Sequence, residues 1–234
     1  MLLRPCFALL LLCPLPAFAA SYLIDARHTQ GVVSWNHLGF AHPTAKFTQV
    51  SGELEFDAAA PAQAKVKAVI PLAQLATGVP DLDEDFRSDA FFDYTKFPTA
   101  TFVASGAKPG TKPGQFTVEG TLDLHGVTQP VTLAVEVNKI GVNPRSGLPE
   151  IGFQAHGTLK RSAFGLGKFV PQVSDDIALD ITVEAIEMKS YAVKLKEEEA
   201  AETIAHAKFE AERIAAAEAA LAEINRGAGA KPAQ

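Results

Sequence analysis

The sequence predicts an all-β domain of eight or nine antiparallel strands, followed by a long α-helix. Three stretches carry the strand prediction, because apolar and polar residues alternate with period two over residues 115–124, 132–138 and 176–184. Strict alternation gives each strand one buried and one wetted face, which is typical of antiparallel sheets. After residue 188 the composition changes to Ala, Glu and Lys, and residues 190–226 contain no Pro or Gly. That composition is typical of a helix.

The N-terminus is predicted to be a secretory signal peptide over residues 1–19. Arg4 supplies a positive charge, and residues 7–12 form an apolar run too short to span a bilayer. The small residues Ala17 and Ala19 suit signal-peptidase cleavage. We therefore expect the mature protein to be periplasmic, with a retained N-terminal anchor as the alternative.

Both cysteines of the chain, Cys6 and Cys13, lie within this segment. A lipoprotein signal at Cys13 is a further alternative, although Leu12 stands where a small residue is preferred. Without these cysteines the mature protein has no disulfide, no thiol nucleophile and no thiolate metal site. The formal net charge is -6, and nucleic-acid binding requires a basic surface, so we expect no nucleic-acid partner.

The remaining strands of the domain are shorter. They are predicted over residues 22–26, 32–38, 47–56, 65–70, 99–104 and 152–159. Turn residues occupy 106–114 and 143–147, and residues 71–75 and 81–92 are predicted to form a helical turn and a short helix. Such strands form a sandwich or a closed barrel, and an eight-stranded barrel is wide enough for one small ligand. Small residues that would leave room for it are Gly120, Ala155, Gly157 and Ala178.

The C-terminal helix is predicted over residues 190–226, appended to a barrel domain of residues 20–188. Ser190 is the expected N-cap and Gly227 the residue after the helix, and residues 227–234 are expected to be disordered. Apolar residues recur at three- and four-residue steps along the helix. This narrow stripe suits self-association or docking to an envelope partner. A solvated helix stabilised by its own ion pairs is the alternative.

Five segments of the domain carry a shared pattern. They are Tyr22-x-Ile24-Asp25-x-x-His28 with Val33-Ser34-Trp35-Asn36-His37-Leu38-Gly39, Phe47-x-x-Val50-x-Gly52-x-Leu54-x-Phe56-Asp57, Phe86-Arg87-Ser88-x-x-Phe91-Phe92-Asp93, Gly120-Thr121-Leu122-x-Leu124-His125-Gly126-Val127, and Arg161-Ser162-x-Phe164-Gly165-Leu166. In this order they resemble the YceI-like family of periplasmic polyisoprenoid-binding proteins, over nearly all of residues 21–188. The resemblance implies an eight-stranded, lipocalin-like antiparallel barrel. It also implies an apolar lumen that takes a long isoprenoid chain, such as a quinone or a prenyl-phosphate lipid.

The chain departs from this pattern at two places. The family commonly has a His-Leu pair before Arg-Ser, where this chain has Asp85-Phe86. If that His touches a ligand head group, the head-group preference of this protein differs. The helical segment that begins at Ser190 is also outside the family pattern, so the resemblance implies nothing about it.

The candidate ligand-binding residues follow from the alternation, because inward positions of a barrel strand recur every second residue. The lumen candidates are Val33, Trp35, Phe56, Phe102, Leu122, Leu133, Val135, Ile177, Leu179 and Ile181, with Phe86, Phe91 and Phe92 as a cap over the barrel end. A slip of one residue in any strand would move its whole set to the opposite face. Core filling is the alternative role for each of these side chains.

Sites for metals and for catalysis are not predicted. The histidines His37, His42, His125 and His156 lack the tight local spacing of zinc ligands, so we expect no metal and no cofactor. The acidic residues from Asp81 onward fit the start of a helix rather than a calcium loop.

No catalytic motif is present either, and the protein is predicted not to be an enzyme. We expect a periplasmic carrier of an isoprenoid-type lipid. Two alternatives remain. One is an enzyme acting on a lipid in the lumen, where His37 shares a face with Trp35. The other is a ligand-free envelope stress or structural protein with a filled barrel.

Overall fold

The computed structural model describes the backbone of residues 19–228 and the side chains of residues 19–213. The predicted signal peptide, apart from Ala19, lies outside the described residues. So do residues 229–234 of the predicted disordered end.

Eleven strands form one antiparallel sheet in the described chain. They are β1 (Ala20–Ile24), β2 (Gln30–Ser34), β3 (Thr44–Thr48), β4 (Ser51–Phe56), β5 (Lys65–Pro71), β6 (Thr99–Ser105), β7 (Lys108–Pro109), β8 (Gln115–Leu124), β9 (Val127–Val142), β10 (Pro149–Lys160) and β11 (Asp176–Glu187). The helices are α1 (Pro80–Arg87) and α2 (Met188–Ala228), and three 3₁₀ turns cover Pro61–Gln63, Leu72–Gln74 and Arg161–Phe164.

The sheet closes into a barrel of eight long strands. Its order is β1-β4-β5-β6-β8-β9-β10-β11, and β1 pairs with both β4 and β11. β2 and β3 lengthen the wall beyond β1 and β4, since β2 pairs with β11 and with β3. The predicted eight-stranded antiparallel barrel is therefore confirmed, and the sandwich is excluded.

Two of the eight long strands are broken, and the sequence predicted only the first break, between the strands over residues 22–26 and 32–38. Between β1 and β2 the chain turns, and the buried Thr29 fastens the turn to β11: its hydroxyl donates to the Glu184 carbonyl and accepts from the Glu184 amide, both at 3.2 Å. Between β3 and β4, Gln49 has a φ of 57°, a left-handed conformation that cannot continue a strand. The predicted strand over residues 47–56 is therefore two strands.

The small residues at predicted inward positions have three different outcomes. Ala155 is buried on the inner face. Gly120 and Gly157 also face inward, but a Cβ on either would lie within 3 Å of a neighbouring side chain, from Phe102 and Leu133 respectively. These glycines allow the neighbouring side chains to pack against the backbone, so they do not add empty space to the lumen. Ala178 is exposed, so its inward prediction is wrong, because Ile177 and Leu179 take the inner face.

Helix α1 is shorter than the predicted 81–92, because it ends at Arg87 and the chain then turns. Pro80 occupies the first turn, where its missing N–H costs nothing. The Asp83 carboxylate accepts from the Thr77 amide at 2.6 Å and from the Thr77 hydroxyl at 2.7 Å. These hydrogen bonds hold the pKa of Asp83 below its ordinary value. The loop before α1 is therefore tied to the helix.

Helix α2 follows β11 directly at Met188, two residues before the predicted N-cap Ser190. It continues through Gly227 to Ala228, so the first two residues of the predicted disordered end are helical. The chain divides into two compact units between Glu187 and Met188. Among the described residues, no helix is long and apolar enough to cross a membrane.

Truncation after Lys189 is expected to leave the barrel folded and to leave the ligand binding predicted from the sequence unchanged. Every strand ends by Glu187, and the buried clusters of described side chains contain no residue beyond Ala185. The melting temperature should change by no more than about 3 °C, which corresponds to about 1 kcal/mol in a domain of this size. Thermal unfolding followed by circular dichroism measures this. Loss of the folded barrel, or of ligand at unchanged fold, would contradict it.

Candidate functional site

A cavity of about 630 Å³ lies inside the barrel. This volume falls within the usual range for sites of small organic ligands. Every long strand contributes to its wall, and the space exists because alanines occupy inward positions where larger side chains would meet. These alanines are Ala68, Ala100, Ala104 and Ala155. The barrel is therefore hollow, which argues against the filled-barrel alternative.

All thirteen residues chosen from the sequence lie in the cavity wall. They are Val33, Trp35, Phe56, Phe86, Phe91, Phe92, Phe102, Leu122, Leu133, Val135, Ile177, Leu179 and Ile181. Contact between these side chains and a ligand stays a prediction. Sequence reasoning placed Val118 and Leu124 on the inner face beside Leu122, and both lie in the wall. It missed Phe153, an inward residue that the same alternation could have found. It also missed Leu82, Phe169 and Val173, which lie outside the strands and carry no periodic signal.

The cavity opens at the end covered by α1 and two loops. Four of the wall residues at this end are exposed, namely His37, Asp85, Lys168 and Phe169. Lys65, the first residue of β5, is also an exposed wall residue, but it lies at the opposite end of the barrel. Its ammonium pairs with the Glu55 carboxylate at 2.7 Å. We call the first end the mouth.

Aromatic rings cover the mouth and connect its parts. The Phe86 ring on α1 lies 5.9 Å from the Trp35 ring and 5.4 Å from the Phe92 ring, between centroids. Phe91 lies 5.8 Å from Phe86 and 6.5 Å from Phe169. Tilted and edge-on arrangements at these distances are favourable. The three phenylalanines predicted to form a cap therefore stand at this end.

Arg161 organises the loop that carries Lys168. Its guanidinium donates to the carbonyls of Ser174 at 2.9 Å, Lys168 at 2.8 Å, Val173 at 3.0 Å and Leu166. Burial lowers the pKa of this guanidinium, and the neighbouring Asp175 opposes that shift. With its donors occupied by the backbone, Arg161 shapes the mouth rather than offering a free cation to a ligand.

Comparison with known proteins decides the family. The family model of the YceI-like domain matches residues 22–185. The chain belongs to the YceI-like family. A curated relative, a UPF0312 protein of Azotobacter vinelandii, is 34% identical over 172 residues, which cover 73% of this chain and 88% of that protein.

Two solved structures share the YceI-like fold. BcnA of Burkholderia cenocepacia superimposes with a TM-score of 0.62 at 24% identity, covering 69% of this chain and 98% of that chain. A polyisoprenoid binding domain from Saccharophagus degradans superimposes with a TM-score of 0.55 at 17% identity, covering 72% and 99%. At these identities the likeness shows the fold.

The departure from the YceI-like pattern at Asp85-Phe86 falls at the mouth. Asp85 is an exposed wall residue, and Phe86 packs on Trp35. Five titratable residues line the cavity: His37, Lys65, Asp85, Arg161 and Lys168. Among the described residues, no two of these side chains hydrogen-bond or form an ion pair with each other. A paired acid and base for catalysis is thus not assembled from them.

A cluster of possible metal ligands lies outside the cavity wall. His28 Nδ1 is 2.6 Å from Asp25 Oδ2 and 3.8 Å from Glu184 Oε2. The sequence could not show this group, because Glu184 comes from the opposite end of the domain. The hydrogen bond to Asp25 raises the pKa of His28.

Chelation is therefore expected to leave the stability unchanged at pH 7. The melting temperature should agree within about 1 °C with and without EDTA, since His28 Nδ1 and the Asp25 carboxylate already form a hydrogen bond with each other. Differential scanning calorimetry measures this. A fall with EDTA that zinc restores would reveal a metal site.

Tyr94 carries a buried hydroxyl without a hydrogen-bond partner among the described residues. Its ring packs 6.1 Å from the Phe92 ring, and burial raises the pKa of Tyr94 to about 12. Tyr94→Phe is expected to raise the free energy of unfolding by about 1 kcal/mol, because the cost of desolvating an unpaired hydroxyl disappears. Urea titration at pH 7 measures the difference.

The same group predicts a pH dependence. The unfolded phenol loses its proton near pH 10 and the folded phenol near pH 12, so the folded state binds more protons in that window. The stability of the wild type should therefore fall as the pH rises from 10 to 12, more steeply than that of Tyr94→Phe. If the stability of the wild type and that of Tyr94→Phe fall equally with pH, the Tyr94 hydroxyl is in contact with solvent.

Proposed function

We propose that this protein is exported to the periplasm, where it binds and carries a long isoprenoid-type lipid of the quinone or prenyl-phosphate class, without converting it chemically. The hollow apolar barrel is the observation that carries the proposal. Membership in the YceI-like family supports it, as does the fold shared with a domain described as polyisoprenoid-binding. The apolar N-terminal segment with small residues at its end supports export.

Binding is driven by removal of the ligand chain from water. Apolar burial contributes about 25 cal/mol per Å², and the wall between the two ends consists mainly of Val, Leu, Ile, Phe and Ala side chains. A polar head group cannot be desolvated against such a wall without losing its hydrogen bonds with water. The head group is therefore expected at the mouth, near Asp85 and Lys168, with the chain extending into the barrel.

The direct test is recovery of the natural ligand. Protein from a periplasmic extract, purified without detergent, is analysed by native mass spectrometry and its extracted lipids are identified. We expect a bound isoprenoid lipid and a polypeptide that begins after Ala19 or Ala20. Bare polypeptide that also takes up no added prenyl lipid would overturn the proposal.

Binding can also be followed in solution, because Trp35 is the sole tryptophan of the chain and lines the cavity. Geranylgeraniol should change its fluorescence, whereas a five-carbon prenyl alcohol at equal concentration should not, since it removes far less apolar area from water. Recovery of the added lipid unchanged after incubation is the result expected of a carrier. Recovery of a chemically converted lipid would favour the alternative that the protein is an enzyme acting on a lipid in the lumen.

A further inference from the structure

Two loops at the mouth expose large apolar side chains. The mouth loops comprise residues 37–43 and 167–173. Phe40 is 92% exposed, Phe169 is 59% exposed and Leu38 is 50% exposed. Isolated exposed apolar residues are ordinary on protein surfaces, but a group of them around an opening marks an interaction site.

The mouth loops are joined to each other and to the cavity. The Leu38 amide donates to the Gln172 carbonyl at 3.2 Å, and His37 forms a β-bridge with Val173. His37, Val173 and Phe169 also line the cavity. The exposed apolar group is therefore continuous with the route by which a ligand enters.

Backbone conformation in these loops is unusual for the residues that occupy it. Leu38 has a φ of 56° and Phe169 a φ of 67°, a left-handed region that bulky residues rarely adopt. Such strained positions persist where the surrounding structure enforces them, and they concentrate at functional sites. Here they hold two apolar side chains in solvent, where neither gains the stabilisation of a core position.

We propose that the mouth loops form a docking surface for a lipid bilayer, through which the barrel collects and releases its ligand. The inference rests on the proposed function, because a long isoprenoid lipid resides in membranes. Phe40 and Leu38 enter the interfacial region, and Phe169 continues the apolar path into the cavity. Lys168, whose ammonium lies 5.0 Å from the Phe91 ring centroid and 5.1 Å from that of Phe169, stands at the level of the head groups.

Charge at the mouth determines which bilayer is preferred. Helix α1 stands at this end and exposes Asp81, Glu84 and Asp85. These three carboxylates repel an anionic surface, and they outnumber the exposed cations Lys168 and, on the same helix, Arg87. The docking surface therefore favours a neutral, zwitterionic bilayer, and anionic lipid should weaken the interaction in a salt-dependent way.

The test uses the full chain, expressed with its own N-terminus, and vesicles of phosphatidylcholine. Flotation measures docking of ligand-free protein. Trp35 fluorescence measures release of bound geranylgeraniol to the vesicles. The variant Leu38→Asn with Phe40→Ser removes the apolar groups, and Asn tolerates the left-handed backbone. Phe209→Ser is the matched control, since Phe209 is 58% exposed on α2.

We expect the wild type and Phe209→Ser to float with the vesicles and to release ligand at a rate proportional to vesicle concentration. The double variant should float about a hundredfold less and release about a hundredfold more slowly, the change expected from loss of two buried apolar side chains. Its affinity for geranylgeraniol without vesicles should match the wild type within about twofold, because neither substituted residue lines the cavity.

Three results would overturn the inference. They are no flotation of the wild type, equal flotation of the double variant, and release that occurs only after a protein extract is added, which would identify a protein acceptor. Loss of flotation in Phe209→Ser alone would move docking to α2. Failure of geranylgeraniol to bind without vesicles would contradict the proposed function and not the docking surface. Flotation of the ligand-free protein would still show whether the mouth loops bind a bilayer.

Discussion

Leu122→Asp is expected to lower the free energy of unfolding by about 3–5 kcal/mol, the cost of placing an unpaired carboxylate in an apolar interior. Leu122 lies in β8, two residues before the end of the strand, and its side chain belongs to the cavity wall. It packs in the same buried cluster as Leu124 and Phe102. A domain whose total stability is about 5–15 kcal/mol loses much of it through this change. Urea titration followed by circular dichroism measures the loss.

Thr121→Asp is the matched control for this prediction. Thr121 is the preceding residue of β8, exposed on the outer face beside Asp123. The same carboxylate remains hydrated there, so the expected change is within about 0.5 kcal/mol. Equal stability of Leu122→Asp and Thr121→Asp would show that the cavity wall at Leu122 is open to water.

Ala155→Phe is expected to weaken binding of geranylgeraniol by about a hundredfold while leaving the barrel folded. Ala155 is buried in the wall between Val135 on β9 and Ile181 on β11. A phenyl ring at this position occupies the cavity and excludes part of the prenyl chain. Loss of about four buried methylene groups, at about 0.8 kcal/mol each, corresponds to a hundredfold change in affinity. Titration of Trp35 fluorescence measures it.

His156→Phe is the control, because His156 is exposed on the outer face of the same strand, with Nδ1 3.6 Å from Asp180. Its affinity should match that of the wild type. The melting temperature of Ala155→Phe should not fall by more than a few degrees, since the ring enters existing space instead of displacing side chains. Unchanged affinity of a folded Ala155→Phe would mean that the ligand lies elsewhere.

The strand faces followed from the sequence because side-chain direction in a strand depends only on parity. The alternation around Leu122, Val135 and Leu179 placed each of them correctly in the wall. The inward prediction for Ala178 is wrong because its parity is opposite to that of Ile177 and Leu179, which lie in the wall. A small inward residue does not by itself predict empty space, since the Phe102 ring fills the position where a side chain on Gly120 would lie.

The mouth could not be derived in this way, because its residues lie in segments without periodicity. Phe169 and Lys168 reach the cavity only because Arg161 gathers the carbonyls of their loop. Asp25, His28 and Glu184 meet only because β1 and β11 pair when the barrel closes. These contacts join distant parts of the chain, so no local pattern encodes them.

The sequence by itself determined the hydrophobic alternation, and with it the antiparallel class, the inner face of each strand and the family. Local sterics and solvation suffice for these properties, because they act between near neighbours and water. The tertiary structure alone decided that the barrel is hollow, where its mouth lies and which residues meet there. Those depend on how eight strands close and on which facing side chains are too small to meet across the lumen, such as Ala104 and Ala155.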